Sequence, residues 1–271
     1  MTARLELRAL TYRRLPPGSC RAAGLDEAAR ALGALIGREA AAVASDHAID
    51  DYVVSSTILS ALLMDGSPCS RALRDELARH AGRAVDWLTH AYECAGWGYV
   101  MRHVLHKAQV SGPRTLLLQI VDVDIHDFTY WYANPQWGES GFGISTLVLR
   151  VEPGEAWPLA LGAEAPASAM VQMGRALREF SLARRGVPVA VPFFREASRK
   201  LLLKRLDGAP VHADGYARFG HSFGSDPWIS VLLGAPAPGK TIVNSLALYG
   251  YFSIAEVEIA RGAHLQLSAD A

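Results

Sequence analysis

The chain has 271 residues, half of them hydrophobic, which is long enough to bury a substantial apolar core as one large domain or two small ones. Lys plus Arg and Asp plus Glu both total 27, so there is no basic field to draw the chain to nucleic acid. Three cysteines, Cys20, Cys69 and Cys94, with no CxxC spacing argue against a disulfide framework or a thiolate zinc site.

The first thirty residues carry Arg4, Arg8, Arg13 and Arg14 but no unbroken apolar stretch, so neither a signal peptide nor a membrane span is expected, and the expected location is cytoplasmic. Leu25 to Ala42 is Ala- and Leu-rich and predicts a helix with Asp26 as N-cap. Tyr52 to Leu63 is β-branched at first and then ambiguous, and Cys69 to His80 predicts an amphipathic helix. Cys94 to Ala108 places Tyr99, Val100, Val104 and Ala108 on one side and Arg102, His103, His106 and Lys107 largely on another, a helix with one buried face. Leu116 to Val123, after Gly112-Pro113, reads as a central strand.

An aromatic stretch and Gly138 to Gly143 then lead to a second expected strand at Ile144 to Val151. Glu152 to Ala167, rich in Pro, Gly and Ala, is the candidate joint between two halves, 1–152 and 153–271. Helices are expected at Ala169 to Arg184 and Phe194 to Leu206, a strand at Thr241 to Leu248, a short helix near Ser253 to Ile259 and a last strand at His264 to Leu267. Strands with intervening helices imply a layered α/β architecture.

Three motifs compete for the chemistry. Gly234 to Thr241 (GAPAPGKT) fits a phosphate-loop pattern, yet Pro236 and Pro238 remove two of the backbone donors such a loop needs, and a strand rather than a helix is expected after it. Gly220 to Gly224 (GHSFG) fits a hydrolase nucleophile elbow with Ser222, but a polar segment precedes it, and only Asp226 or Asp270 with His264 could complete a triad. Tyr92 to Tyr99 (YECAGWGY) puts Cys94 at the start of a helix, where the macrodipole and free N–H groups favour thiolate and small residues leave room for a substrate chain. A buried structural cysteine is the alternative there.

The stretch ECAGWGYVMRHVLHKAQVSGPRTLLLQIVDV resembles the nucleophile region of the β-ketoacyl-carrier-protein synthase III family, a branch of the thiolase-like enzymes. The parts come in order: Cys94-Ala95-Gly96-Trp97, Ser111-Gly112, and a strand ending at Asp122 or Asp124. Further on, WGESGFGISTLVLRV is similar to the family's Phe-Gly-Asp-Gly-Ala entry with Glu139 in place of Asp, and His221 stands where the second-half histidine lies. ALYGYFSIAEVEI resembles the His-Gly-Asn-Thr-Ser-Ala segment, matching Gly250 and Ser253, with Tyr251 in place of the catalytic Asn. The resemblance covers roughly residues 84–271.

It implies a thiolase-like layered α-β-α-β-α fold made of two similar halves. It also implies an acyltransferase or condensing enzyme of the ketosynthase III type, working on thioesters through a Cys94 acyl-enzyme with His221, in natural-product or fatty-acid-derived biosynthesis. Alternatives are a non-catalytic supporting subunit of a heterodimeric enzyme of that type, or a hydrolase using Ser222. The oxyanion would be held by the Cys94 N–H and one from near Gly250, with Tyr251 and Ser253 as possible auxiliaries. Glu93 is read either as a general base or as structural.

Trp97, Phe193, Phe194 and Trp131 could line an acyl tunnel, and Arg195, Arg199, Lys200, Lys204 and Arg205 could meet coenzyme A phosphates or an acidic carrier, although a solvated helix face fits them better. No cofactor is implied beyond coenzyme A or phosphopantetheine as the acyl carrier, and the implied partners are an acyl-CoA or acyl carrier protein and a second copy or a longer paralogue in a dimer. His103 with His106, and Asp122, Asp124, His126 and Asp127, are read as surface and turn residues, so no metal is expected.

Overall fold

The computed structural model describes residues 2–64, 66–125, 129–234 and 237–268. His126, Asp127, Pro236 and Asp270 therefore lie outside the described residues. In chain order the elements are β1 (Arg4–Leu15), α1 (Leu25–Ala44), β2 (Asp51–Ser55), α2 (Ser60–Leu63), α3 (Pro68–Ala81), β3 (Trp87–Thr89), α4 (Gly96–Ser111) and β4 (Arg114–Asp122). There follow α5 (Thr129–Tyr132), β5 (Ala133–Asn134), β6 (Gly138–Glu139), β7 (Phe142–Glu152), β8 (Leu159–Ala163), α6 (Pro166–Leu182), β9 (Val189–Ala190) and α7 (Glu196–Arg205). The last are α8 (Tyr216–Phe219), α9 (Asp226–Leu233), β10 (Gly239–Leu246) and β11 (Tyr251–Ser268).

Nine strands form one hydrogen-bonded sheet in the order β3-β2-β4-β7-β1-β11-β10-β9, with β8 also on β11. β1 runs parallel to the far part of β11, from Glu258 to Ser268, while the near part of β11 lies between β8 and β10. One long strand thus leaves one sheet region and enters another, and the surface is folded around its helices. Alternation decides which face each side chain meets. Along β4, Leu117 and Val121 pack outward under α1 and α3. Its Leu116, Leu118 and Ile120 point inward onto α4 and α9, together with Val243 of β10 and Ala255 and Val257 of β11. The opposite face of β10 and β11, through Ile242, Phe252 and Ile254, packs under Met173 and Leu177 of α6 and Leu202 of α7. The layers read α1/α3, sheet, α4/α9, sheet, α6/α7, which is the α-β-α-β-α order.

Two sequence expectations are corrected, the helix at Ser253 to Ile259 and the cap at Asp26. Ser253 to Ile259 is strand, continuous with His264 to Leu267, because β11 alternates Val257 and Ile259 inward with Glu256 and Glu258 outward, a period of two. The apparent joint at Glu152 to Ala167 contains β8, paired along β11 from Ala255 to Tyr251. Gly24 takes the cap position of α1 and Asp26 sits in its first turn. β1, which joins β7 to β11, has no counterpart among the predicted strands. Thr241 lies in β10 and its hydroxyl bonds His212 Nε2 at 2.8 Å, so no helix opens after the glycine-lysine pair.

Candidate functional site

Cys94 lies in a tight 3₁₀ turn, residues 93–95, between β3 and α4. Tyr92 and Glu93 enter it with left-handed backbone, φ 67° and 45°, a conformation that strains residues bearing a Cβ by about 1–3 kcal/mol each. The surroundings hold it there. The Ala95 N–H donates to the Tyr92 carbonyl at 3.0 Å, and the Ser253 hydroxyl donates to the Ala95 carbonyl at 2.7 Å. The Tyr92 ring stacks on Tyr99 with centroids 3.7 Å apart.

His221 arrives from a second turn, pinned by backbone bonds to Glu139 and Gly141 at 2.7 and 2.9 Å. The two turns touch at Gly224, where an added Cβ would come within 2.9 Å of Ile120 and 3.4 Å of the Cys94 carbonyl. Cys94 Sγ then lies 3.9 Å from His221 Nε2, within hydrogen-bond reach for sulfur. Both side chains are almost fully buried, at 6% and 5% exposure.

The third member was missed from sequence. Asp226 Oδ2 lies 2.6 Å from His221 Nδ1 and also accepts the Phe193 N–H at 2.9 Å, while Oδ1 accepts the Ser222 N–H at 2.5 Å. A carboxylate at Nδ1 places the ring proton there and leaves the Nε2 lone pair facing the sulfur. Burial pushes the Asp226 pKa up, and the imidazole and the two amides oppose that. The sequence offers Asp226 only as an acid for Ser222, and the signal for its actual place is its position at the first residue of α9, one step before Pro227.

The sequence expectation of a thiolate at Cys94 is also corrected. Burial, followed by the charges of Asp122, Glu93 and Asp226, holds the thiol pKa well above its ordinary value, outweighing the Thr57 hydroxyl that donates to Sγ at 3.8 Å. Cys94 therefore rests as a thiol, which a base would have to ionise.

Thiol and imidazole open onto a cavity of about 280 Å³. Its wall is mostly apolar and aromatic, with Trp131, Trp137, Phe194, Phe223, Met170 and Leu246, and carries Glu93, Thr57, Gln136 and Ser198 as polar members. Of the predicted acyl-tunnel residues, Phe194 and Trp131 are on that wall. Trp97 is instead 1% exposed in the central layer, edge-on to Trp228 and donating to Ser245 Oγ at 2.8 Å. Phe193 packs with Tyr12, Phe219 and Ile229. Trp137 and Phe223 were not foreseen.

The predicted auxiliaries are placed elsewhere too. Tyr251 turns away from the cavity, its ring edge-on to Tyr92 and Tyr99, since the first residue of β11 faces that aromatic surface. The Gly250 N–H donates to the Ala247 carbonyl at 3.0 Å and is already used. Gly250 has φ 90° and a Cβ there would fall 1.9 Å from the Glu164 carbonyl, so its role is the turn itself. Ser253 supports the turn that carries Cys94 and does not line the cavity. Glu93 accepts the Tyr249 N–H at 3.3 Å, and burial raises its pKa against the pull of the Tyr249 and Leu248 amides.

The rival motifs lose their geometry. Ser222 Oγ bonds the Phe219 carbonyl at 3.5 Å, and His264 pairs with Ala9 along β11, so the elements of a Ser222 triad are not assembled. Arg199 pairs with Asp214 at 3.0 Å and Lys200 with Glu196 at 2.5 Å, as a solvated face does. His103 and His106 are exposed and rest against Trp87 and Trp157. Asp124 is paired with Arg21 at 2.7 Å. No helix among the described residues is long and apolar enough to cross a membrane.

Five alternating layers make up a thiolase-like fold, and Cys94 and His221 meet over its central helices. Solved structures of that fold match along nearly the whole chain. Among them are 3-oxoacyl-(acyl carrier protein) synthase III from Pseudomonas aeruginosa PAO1, at 14% identity and TM-score 0.66, over 95% of this chain and 99% of that one. The priming β-ketosynthase of the R1128 polyketide pathway matches at 15% identity and TM-score 0.61, over 96% and 97%. The acyltransferase ChlB3 matches at 14% identity and TM-score 0.65, over 96% and 99%. No family model and no curated protein matches the chain.

Proposed function

We propose that the chain is an acyltransferase of the ketosynthase III type that takes an acyl group from coenzyme A or a carrier phosphopantetheine onto Cys94 and passes it to an acceptor, without decarboxylative condensation. The observation that carries this reading is the relay Asp226–His221–Cys94 at the base of an apolar cavity, with Tyr251, which stands in place of the condensing asparagine, turned away from it. Condensation needs a second side-chain donor on the thioester oxygen; transfer needs only a nucleophile, a base and a pocket.

His221 Nε2 takes the Cys94 proton as sulfur attacks the thioester carbonyl, and the imidazolium that forms is stabilised by Asp226. The carbon–sulfur bond to the carrier then breaks, and the leaving thiolate receives that proton. An acceptor hydroxyl or amine, deprotonated in turn by His221, attacks the acyl-cysteine and regenerates the thiol. The Cys94 N–H is the backbone donor assigned to the oxyanion. A cavity of about 280 Å³ is small for a ligand site, matching an acyl group with the carrier arm outside it.

The reading extends to a cytoplasmic dimer, either of two copies or with a longer paralogue, that uses no cofactor of its own. Incubation with a panel of acyl-CoAs followed by intact-mass spectrometry tests the chemistry. The expected result is one acyl adduct on the native chain and none on Cys94→Ala. A native chain left unmodified under saturating donor would favour the supporting-subunit role instead.

A further inference from the structure

Glu93 precedes the nucleophile and lies on the cavity wall. Its carboxylate is tethered over the cavity by the Tyr249 N–H at 3.3 Å, with the Leu248 N–H as a second donor. Among the described residues that line the cavity there is no Lys or Arg, and the histidine present is engaged by Asp226 through Nδ1. Two more acids, Asp122 and Asp226, lie close enough to raise the energy of negative charge on the Cys94 sulfur. With these carboxylates ionised the field inside the pocket is negative, and its largely apolar wall offers no lysine or arginine as countercharge.

We propose that Glu93 is a specificity residue that makes the pocket select uncharged acyl groups and reject acyl groups that carry a free carboxylate, the malonyl-type half-thioesters. This deepens the acyl-transfer reading and rests on it. Reaction forms a bond between Cys94 sulfur and the acyl carbon and breaks the bond to the carrier sulfur. A carboxylate on the acyl chain would have to come to rest in the same cavity as Glu93, without a lysine or arginine to meet it. Two like charges a few ångströms apart at the effective dielectric of a partly buried site disfavour that complex roughly 10-fold or more. The same geometry accounts for the site's departure from condensation, whose extender units are such half-thioesters.

Isobutyryl-CoA and methylmalonyl-CoA are near in size and differ by a methyl group against a carboxylate. Offered together in equal amounts to the native chain, they give two adducts on Cys94 that intact-mass spectrometry separates. The expected ratio favours isobutyryl roughly 10-fold or more in the native chain. Glu93→Gln, which keeps an acceptor for the loop amides but loses the charge, is expected to bring the ratio close to one. Glu93→Asp, which keeps the charge, is expected to retain the preference. The ratio is the readout, so a change in absolute rate in either variant does not decide it. Equal labelling by both donors in the native chain, or a ratio unmoved in Glu93→Gln, overturns the inference while leaving acyl transfer standing. Absence of labelling by every thioester removes the acyl-transfer reading and this inference with it.

Discussion

Cys94 is a thiol among acids, which makes its chemistry depend on the imidazole beside it. Because its pKa lies well above the ordinary value, the thiolate fraction rises with pH throughout the accessible range. The rate of alkylation by iodoacetamide is therefore expected to climb through pH 9 with no plateau, measured by mass spectrometry; a plateau near neutral pH would mean a preformed thiolate. Under the proposed acyl transfer the dependence differs, since His221 would remove the proton as the bond forms. His221→Ala is expected to slow acylation from acyl-CoA about 10²–10⁴-fold. Asp226→Asn should also slow it strongly, because an amide can donate to Nδ1 and turn the Nε2 proton toward the sulfur, and both effects are read as pseudo-first-order adduct formation.

A second buried acid gives a different readout. Asp122, 1% exposed, accepts from Ser56 Oγ at 3.1 Å and from the Thr57 N–H at 2.6 Å, and burial pushes its pKa up from 3.8 to about 6. Between those values the folded chain holds the proton that the unfolded chain has released. Rising pH therefore favours unfolding, at a cost on the order of 3 kcal/mol reached by neutral pH. Asp122→Asn keeps an oxygen for both donors and carries no charge. Its stability in urea is expected to decline less steeply than that of the native chain as pH rises from about 4 to about 6, the remainder coming from the other carboxyls that burial raises, Asp226 and Glu93.

At the scale of elements, helix contacts and strand direction are set by small residues and by alternation. Gly33 and Gly37 let α1 lie directly against α3: a Cβ at Gly33 would fall 2.5 Å from the Leu73 carbonyl. Gly33→Ala must push the helices apart, and it is expected to destabilise the chain by about 1–3 kcal/mol in denaturant titration. These glycines were readable as helix residues but not as contacts, since nothing in the helical period of α1 names its partner. β11 marks the opposite difficulty. FSIAEVEIARG carries apolar residues at spacings that suit a helix turn as well as a strand, and pairing with β8, β10 and β1 selects the period of two that Val257 and Ile259 share. Cys94 was legible as a cysteine followed by small residues at the start of a helix, whereas His221 was legible only through the resemblance to the synthase III family, since GHSFG by itself reads as an elbow around Ser222. Tyr251 was legible in position but not in direction, since one residue of register at the start of β11 decides whether a ring faces the cavity or Tyr92.

At the scale of the whole molecule, the site lies where parts distant in sequence are forced together. Sγ of residue 94 and Nε2 of residue 221 approach to 3.9 Å because α4 and α9 share the central layer, Trp97 edge-on to Trp228 with centroids 5.4 Å apart. That layer has no sheet of its own. It buries Leu118 and Leu147 from one side and Val243 and Val257 from the other, while β1 and β11 bond the two sides into one ladder. Removing either side would expose the apolar face of α4 or α9, so neither is a stable stopping point for unfolding. Tryptophan fluorescence, far-ultraviolet circular dichroism and loss of acylation competence at Cys94 are accordingly expected to share one denaturation midpoint. An earlier midpoint for acylation alone would mean that the turns carrying Cys94 and His221 part before the layers do, and that the central helices do not by themselves fix the distance between sulfur and imidazole.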